Sequence, residues 1–215
     1  MLPVVALAVL ATAPLTPPTR ACAAAVAVVA DSTPSPAALW QEGMTFGEFS
    51  GRFKSRKEAW EKRNSWGTFP DLTASRMRAI TAPLRILVVA EEECSDSMNS
   101  IPYLVRLVAL APSIEVRIVD SRKGLAVMEA HRTVDGRAAT PTIVVLDQAD
   151  RVVACWVERP AALIRWSKTP RDSLPADQRF GGRLAWYEND KGASAMAEWV
   201  PLLEGAGAGR LTCGS

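Results

Sequence analysis

The sequence predicts an α/β domain built on a mixed central sheet, with helical extensions before and after it. Three observations carry this. Leu84 to Ala90 (Leu-Arg-Ile-Leu-Val-Val-Ala) is almost continuously apolar, the pattern of a central strand covered on both faces. Ser95 to Leu110 then repeats apolar residues at helical spacing, with Ile101, Leu104, Val105, Val108 and Ala109 on one side. Finally, Thr142 to Leu146 and Arg151 to Val157 are β-branched runs joined by Asp147-Gln148-Ala149-Asp150, the signature of an antiparallel hairpin.

The elements between these complete the order. Ile114 to Asp120 alternates as Ile-Glu-Val-Arg-Ile-Val-Asp and reads as a strand. Gly124 to His131 reads as a short helix, and Pro160 to Ser167 as a closing helix. Strand, helix, strand is a βαβ unit, whose parallel strands cross over right-handedly. On the N-terminal side, Thr45 and Glu48 have capping-box spacing, and Phe46, Phe49, Phe53 and Trp60 recur on one side of a predicted helix from Thr45 to Ser65. Gly43, Gly47 and Gly51 lie four apart, read as a frayed start to that helix. Asp71 caps a second short helix ending near Ile80. Beyond Pro170, Gly182 to Tyr187 and Ala193 to Leu203 predict further helices carrying Trp186 and Trp199.

Before the first helix the composition changes. Leu2 to Leu15 and Ala21 to Ala30 are apolar runs, each short of the ~20 residues that span a bilayer as a helix. They predict a secretory signal cleaved after Ala23, Ala27 or Ala30, hence an exported, periplasmic protein. An uncleaved membrane anchor is the alternative, since no Lys or Arg precedes the first run. The expected organisation is a signal or apolar segment over 1–30, a Pro/Ser/Thr-rich linker over 31–44 and a helical extension over 45–81. The main domain then covers 82–204, and a disordered Gly-rich tail covers 205–215.

Composition narrows the function. The chain has 215 residues, 48% hydrophobic, with a formal net charge of +2. That near-balance argues against nucleic-acid binding, which needs a basic face. The densest basic run, Arg52 to Arg63, is interleaved with Glu58 and Glu61 and reads as a solvated helix face. Neither C-x-x-C nor a Cys/His cluster occurs among Cys22, Cys94, Cys155, Cys213 and the single His131, so no zinc site and no cofactor is expected. His131 is assigned to a helix end, Cys155 to an inert position on a strand, and the seven tryptophans to packing.

The chemistry centres on Cys94-Ser95-Asp96-Ser97, directly after the central strand. Pro102 follows Cys94 by eight residues, and Ala139-Thr140-Pro141-Thr142-Ile143-Val144-Val145-Leu146 opens the hairpin. In this order the features resemble those of the thioredoxin family: a cysteine opening the long helix, a proline inside that helix, and a cis-proline facing the sulfur. The resemblance implies a thioredoxin-like three-layer α/β/α sandwich. Val157-Glu158-Arg159-Pro160 and Trp186-Tyr187-Glu188-Asn189-Asp190-Lys191-Gly192 are similar to segments of bacterial proteins grouped loosely with thioredoxins.

What the resemblance implies about activity is a monothiol, C-x-x-S site. Cys94 is the expected nucleophile, favoured as thiolate by the helix N-terminus. Ser97 stands at the resolving position with a hydroxyl able to bond a thiolate. Thr140 and Pro141 are expected to pair with a substrate strand, with Ser95, Asp96 and Arg159 around it. Departures from the family pattern are Glu93 in place of a tryptophan and Val88 in place of the buried acid of the first strand. Glu91, Glu92, Glu93 and Asp96 are expected to surround Cys94 with negative charge and to oppose its ionisation. Two uses follow: exchange with a protein disulfide or small thiol, or a non-catalytic module holding a partner polypeptide in the cis-proline groove, its acidic rim facing a basic segment. A peroxidase is disfavoured, because Ala90-Glu91-Glu92-Glu93 lacks the Pro-x-x-x-Thr-x-x-Cys pattern.

Overall fold

The central sheet of the computed structural model has four strands in the order β2-β1-β3-β4. Residues 33–66, 69–168 and 174–212 are described, and they belong to one compact unit. The predicted signal segment, with Cys22, and the tail from Cys213 onward lie outside the described residues.

The strands are β1 (Leu84–Val89), β2 (Ile114–Val119), β3 (Thr142–Leu146) and β4 (Val152–Val157). β1 runs parallel to β2, Leu84 beside Ile114, and antiparallel to β3, Val89 beside Thr142. β3 and β4 form the predicted hairpin, with a register shift at Val145/Leu146. Because side chains alternate along a strand, β1 feeds two cores. Ile86 and Val88 join the larger core, which includes Trp60, Met77, Ile101, Leu104, Leu107, Trp199 and Leu203. Leu87 and Val89 join a smaller one with Leu39, Trp40, Val119, Val127, Met128 and Val144. Both faces of β1 are therefore covered, which is why its sequence is apolar at every position but Arg85.

Helices supply the outer layers. α5 (Ser95–Val108) packs on the larger-core face with α3 (Lys57–Asn64), α4 (Asp71–Arg78) and α9 (Ala193–Gly207). α1 (Pro36–Gln41) and α6 (Leu125–Ala130) serve the smaller core. α2 (Phe46–Ser50), α7 (Ala161–Ser167) and α8 (Ala176–Asp190) complete the chain. The thioredoxin-like sandwich with a mixed sheet and helical extensions at both ends is the fold observed.

Several local expectations need correction. The stretch read as linker contains α1, capped by Ser35, whose Oγ accepts the Ala38 N–H at 3.2 Å; Leu39 and Trp40 are buried. The single helix expected over Thr45 to Ser65 is two. Its capping box is real, with Thr45 N donating to Glu48 Oε2 at 2.7 Å, but α2 stops at Gly51 and the chain reopens as a loop before α3. Phe46, Phe49 and Phe53 still gather on Trp60, with ring centroids at 6.3, 5.7 and 4.9 Å. Asp71 is the first residue of α4 rather than its cap, which is Pro70. The tail is not loose over its described part: α9 runs to Gly207, and Thr212 N donates to Val153 O of β4 at 2.9 Å.

The last two helices meet at Lys191-Gly192, both with positive φ (50° and 79°). A Cβ at Gly192 would lie 2.6 Å from the Tyr103 ring, so glycine there serves conformation and close packing together. At the opposite edge of the sheet, Met44 and Ile118 exchange two backbone hydrogen bonds of 2.8 Å, placing the extension against β2.

Candidate active site at the start of the long helix

β1 ends at Val89, and the turn through Glu91, Glu92 and Glu93 delivers Cys94 as the N-cap of α5. The cap backbone is extended (φ −76°, ψ 117°), and Sγ takes the role a serine oxygen usually plays. It accepts the Ser97 N–H at 3.4 Å. The sulfur thus sits among the unpaired amides at the positive end of a fourteen-residue helix. On its other side, Sγ is 3.2 Å from Thr140 O and donates to it. The Thr140-Pro141 peptide is cis, which brings that carbonyl over the helix start. Thr142 Oγ1 donates to Ala139 O at 2.7 Å, and Glu158 N donates to Pro141 O at 2.7 Å, so the proline turn is held from both flanks.

Ser97 contributes differently from the expectation. It is wholly buried, its hydroxyl has no hydrogen-bond partner, and its backbone N–H is the group that reaches the sulfur. Cys155, assigned to an inert strand position, is disulfide-bonded, and Cys94 is the free cysteine among the described residues. Val88, at the position of the family's buried acid, is fully buried.

The four carboxylates do not form a bare acidic ring around Cys94. Glu91 Oε1 accepts from the backbone N–H and the hydroxyl of Ser121 at 2.7 and 2.5 Å. Glu92 accepts the successive backbone N–H groups of Lys54, Ser55 and Arg56 at 2.8, 2.8 and 2.9 Å. Burial works against ionisation of Glu92, but those three N–H bonds outweigh it and hold its carboxyl below the ordinary range. This clamp holds the loop that divides the predicted 45–65 helix. Donors at 54–56 turn toward Glu92, while Trp60 Nε1 donates to Glu92 O at 3.0 Å. Glu93 pairs with Arg56 Nε at 3.0 Å and with the Ser55 hydroxyl. The N-terminal extension therefore braces the turn that positions the cysteine.

Asp96 points into the body of the protein. It is 5% exposed, with Oδ1 accepting from the Tyr187 hydroxyl at 2.8 Å and Oδ2 from Arg159 Nη2 at 2.9 Å. Arg183 Nε lies 3.8 Å from Oδ1, and Arg183 Nη2 donates to Ser95 Oγ at 3.3 Å. Burial, with the adjacent Asp96 charge and hydrogen bond, pushes the Tyr187 hydroxyl well above its usual range, so it remains a donor. Arg159 also pairs with Glu158 at 2.5 Å, and Glu158 is gripped in turn by Arg137 at 3.1 and 3.0 Å. Ser95, Asp96 and Arg159 are thus brought together, but as a buried charge cluster beneath the first turn of α5. Tyr187, Arg183, Arg137 and Glu158 belong to this cluster and were not singled out as site residues from the sequence. Tyr187 and Glu158 do fall in the two segments whose family resemblance was noted. His131 caps α6, half-buried, and burial lowers its pKa. No group of three or more His, Cys, Asp or Glu among the described residues is arranged to hold a metal ion, and no described helix is long and apolar enough to cross a membrane.

A free sulfur at the N-terminus of the long helix, beside a cis-proline at one end of a mixed four-stranded sheet, defines a site of the thioredoxin class. Residues 43–171 match the family model described as thioredoxin; that is more than half of the chain, which therefore belongs to this family. A protein of unknown function from Pseudomonas aeruginosa has the same fold, with a TM-score of 0.64 and 23% identity over 80% of this chain and 99% of its own. An HIV epitope scaffold is similar at a TM-score of 0.62 and 22% identity, again over 80% and 99%. No curated protein matches the chain.

Proposed function

We propose that this is an exported monothiol thioredoxin-family protein that exchanges disulfides through Cys94. The observation that carries the reading is the placement of one free sulfur between the Ser97 N–H, at 3.4 Å, and the Thr140 carbonyl before cis-Pro141, at 3.2 Å. The thiolate is the form that attacks a disulfide. In the proposed step Cys94 loses its proton to solvent, and its thiolate attacks one sulfur of a substrate disulfide. A new S–S bond forms as the old one breaks, and the departing thiolate takes up a proton. A second, low-molecular-weight thiol then attacks the mixed disulfide and regenerates Cys94. That external thiol is required because position 97 is serine and Cys155 is already bonded. The Cys155 disulfide also supports an oxidising compartment, in keeping with the apolar N-terminal segment.

The second reading is a module that holds a partner polypeptide at Thr140-Pro141 without chemistry. Its acidic-rim version is disfavoured, because Glu91 and Glu92 are engaged by Ser121 and by residues 54–56 of the same chain. The two readings separate on one experiment. Full-length protein is incubated with 2-hydroxyethyl disulfide and analysed by mass spectrometry, beside Cys94→Ser. Exchange predicts a single mixed disulfide at Cys94, cleared by added thiol and missing from the variant. An unmodified Cys94, with clients captured equally by Cys94→Ala, would leave the binding module as the function.

A further inference from the structure

We infer that Cys213 is the sulfur bonded to Cys155, so that one covalent bond ties the C-terminal tail to the outer border of β4. The chain has four cysteines, Cys22, Cys94, Cys155 and Cys213. Cys155 is disulfide-bonded and Cys94 is free, so the partner of Cys155 within the chain is Cys22 or Cys213. The inference stands apart from the exchange reading: it requires no reaction of Cys94 and survives if that thiol is inert.

The fold chooses between the two. β4 is an outer strand of the sheet, paired with β3 on one side. The β3–β4 register passes from Val145 beside Ala154 to Leu146 beside Val152, so Val153 is left without a partner on β3. Its carbonyl is taken by the tail instead, with Thr212 N donating at 2.9 Å. Cys213 follows Thr212 directly, its Cα about 3.8 Å farther along. Cys155 lies two residues from Val153 on a strand that rises about 3.3 Å per residue, and hydrogen-bonded strands lie about 4.8 Å apart. A disulfide joins Cα atoms about 4.4–6.8 Å apart. One residue of tail laid along β4 from Val153 toward Cys155 therefore brings the two sulfurs into range with no movement of the strand. Cys22, by contrast, precedes Thr33, the first described residue, by eleven positions. A longer free segment makes closure entropically costlier, and the expected signal cleavage removes Cys22 altogether.

The oxidant is a small disulfide or a disulfide-bearing protein of an oxidising compartment. The Cys155 thiolate attacks one sulfur of that disulfide, and the other sulfur leaves as a thiolate that takes up a proton. The Cys213 thiolate then attacks the Cys155 sulfur; the internal S–S bond forms and the second oxidant sulfur leaves as a thiol. Two thiols of the chain are thereby oxidised to one disulfide as the oxidant is reduced to two thiols. The loop so closed spans roughly 60 residues and contains α7, α8 and α9, so the bond restrains the unfolded chain across the whole C-terminal extension.

The test is a disulfide map. Full-length protein is refolded in a glutathione redox buffer, its remaining thiols are alkylated, and it is digested with trypsin without reduction. Cleavage after Arg151 and Arg165 places Cys155 in peptide 152–165, and cleavage after Arg210 places Cys213 in peptide 211–215. Cleavage after Arg20 and Arg52 places Cys22 in peptide 21–52. Mass spectrometry is expected to find 152–165 joined to 211–215, in a protein that runs as a monomer on a non-reducing gel. Cys22→Ser is expected to leave that linkage intact. Adding Cys213→Ser to it is expected to leave Cys155 alkylated or glutathionylated and to lower the midpoint of thermal unfolding by about 10 °C. Peptide 152–165 joined to 21–52, an alkylated Cys155 in the wild type, or a dimer dissolved by reductant overturns the inference.

Discussion

Replacing Asp96 by alanine removes the acceptor on which three donors from distant parts of the chain converge. In the folded protein this carboxylate is 5% exposed and receives the Tyr187 hydroxyl at 2.8 Å and Arg159 Nη2 at 2.9 Å, with Arg183 Nε at 3.8 Å. Removing one partner of a buried, hydrogen-bonded ion pair leaves the opposing charge uncompensated and costs about 3–5 kcal/mol. At about 2–4 °C per kcal/mol for a chain of this size, the midpoint of thermal unfolding is expected to fall on the order of 6–20 °C. Tyr187→Phe, which deletes one hydrogen bond to a charged acceptor, is expected to cost about 1.5–3 kcal/mol. The two losses must not add, because both delete the same contact. Urea unfolding of the wild type, both single variants and the double variant, followed by tryptophan fluorescence, measures the cycle. Glu93→Ala is the control: that carboxylate is 66% exposed and its pairing with Arg56 contributes under about 1 kcal/mol. An Asp96→Ala protein within about 1 kcal/mol of wild type, or strict additivity with Tyr187→Phe, refutes the buried cluster, since neither outcome is compatible with an occupied low-dielectric pair.

Further outcomes follow from the same geometry. Glu92 has a folded pKa held below 4.5, so its clamp on residues 54–56 contributes fully above pH 4.5 and is lost as pH falls through the folded value. Protection of the Lys54, Ser55 and Arg56 amides, measured as exchange relative to the intrinsic rate at each pH, should fall as pH drops through the folded value in the wild type and should be low at all pH values in Glu92→Gln. Burial likewise lowers His131 below 6.5, so in going from pH 8 to pH 5.5 the unfolded chain gains a proton that the folded chain resists. Denaturant midpoints should fall over that range, with a shallower fall in His131→Gln. Gly192→Ala combines a positive φ with a Cβ 2.6 Å from the Tyr103 ring, and calorimetry should register a loss of about 1–3 kcal/mol. A neutral result there would mean that α8 and α9 reorient freely about their junction.

The parts of the fold legible in the sequence are those fixed by local pattern. β1 is buried on both faces and is therefore apolar at nearly every position, while α5 shows one apolar side although it is buried nearly all round, because its polar residues Asp96 and Asn99 are met by Tyr187 and Arg63. Cys94, Pro102 and Thr140-Pro141 stood out by order and spacing along the chain. What was hidden depends on partners far apart in sequence. The reopened loop between α2 and α3 is held by Glu92, 36 to 38 positions beyond the amides it binds, and within 45–65 only Gly51, at the end of α2, signals the break. The burial of Asp96 requires Tyr187, 91 residues away, so its position beside Cys94 suggested a surface carboxylate. α1 begins within a Pro- and Ser-rich stretch because Ser35 and Pro36 are good helix starters, a signal that the linker-like composition masked.

The two outer strands of the sheet are each met by a distant part of their own chain, Met44 on β2 and Thr212 on β4. Unsatisfied strand borders are where one molecule recruits another into ribbons, and blocking them is how sheet proteins avoid polymerising. Here the molecule touches its own border at one point on each side of a four-strand array. Each border is thus broken at one point by the chain's own backbone, while Thr140 lies beside the one free sulfur among the described residues.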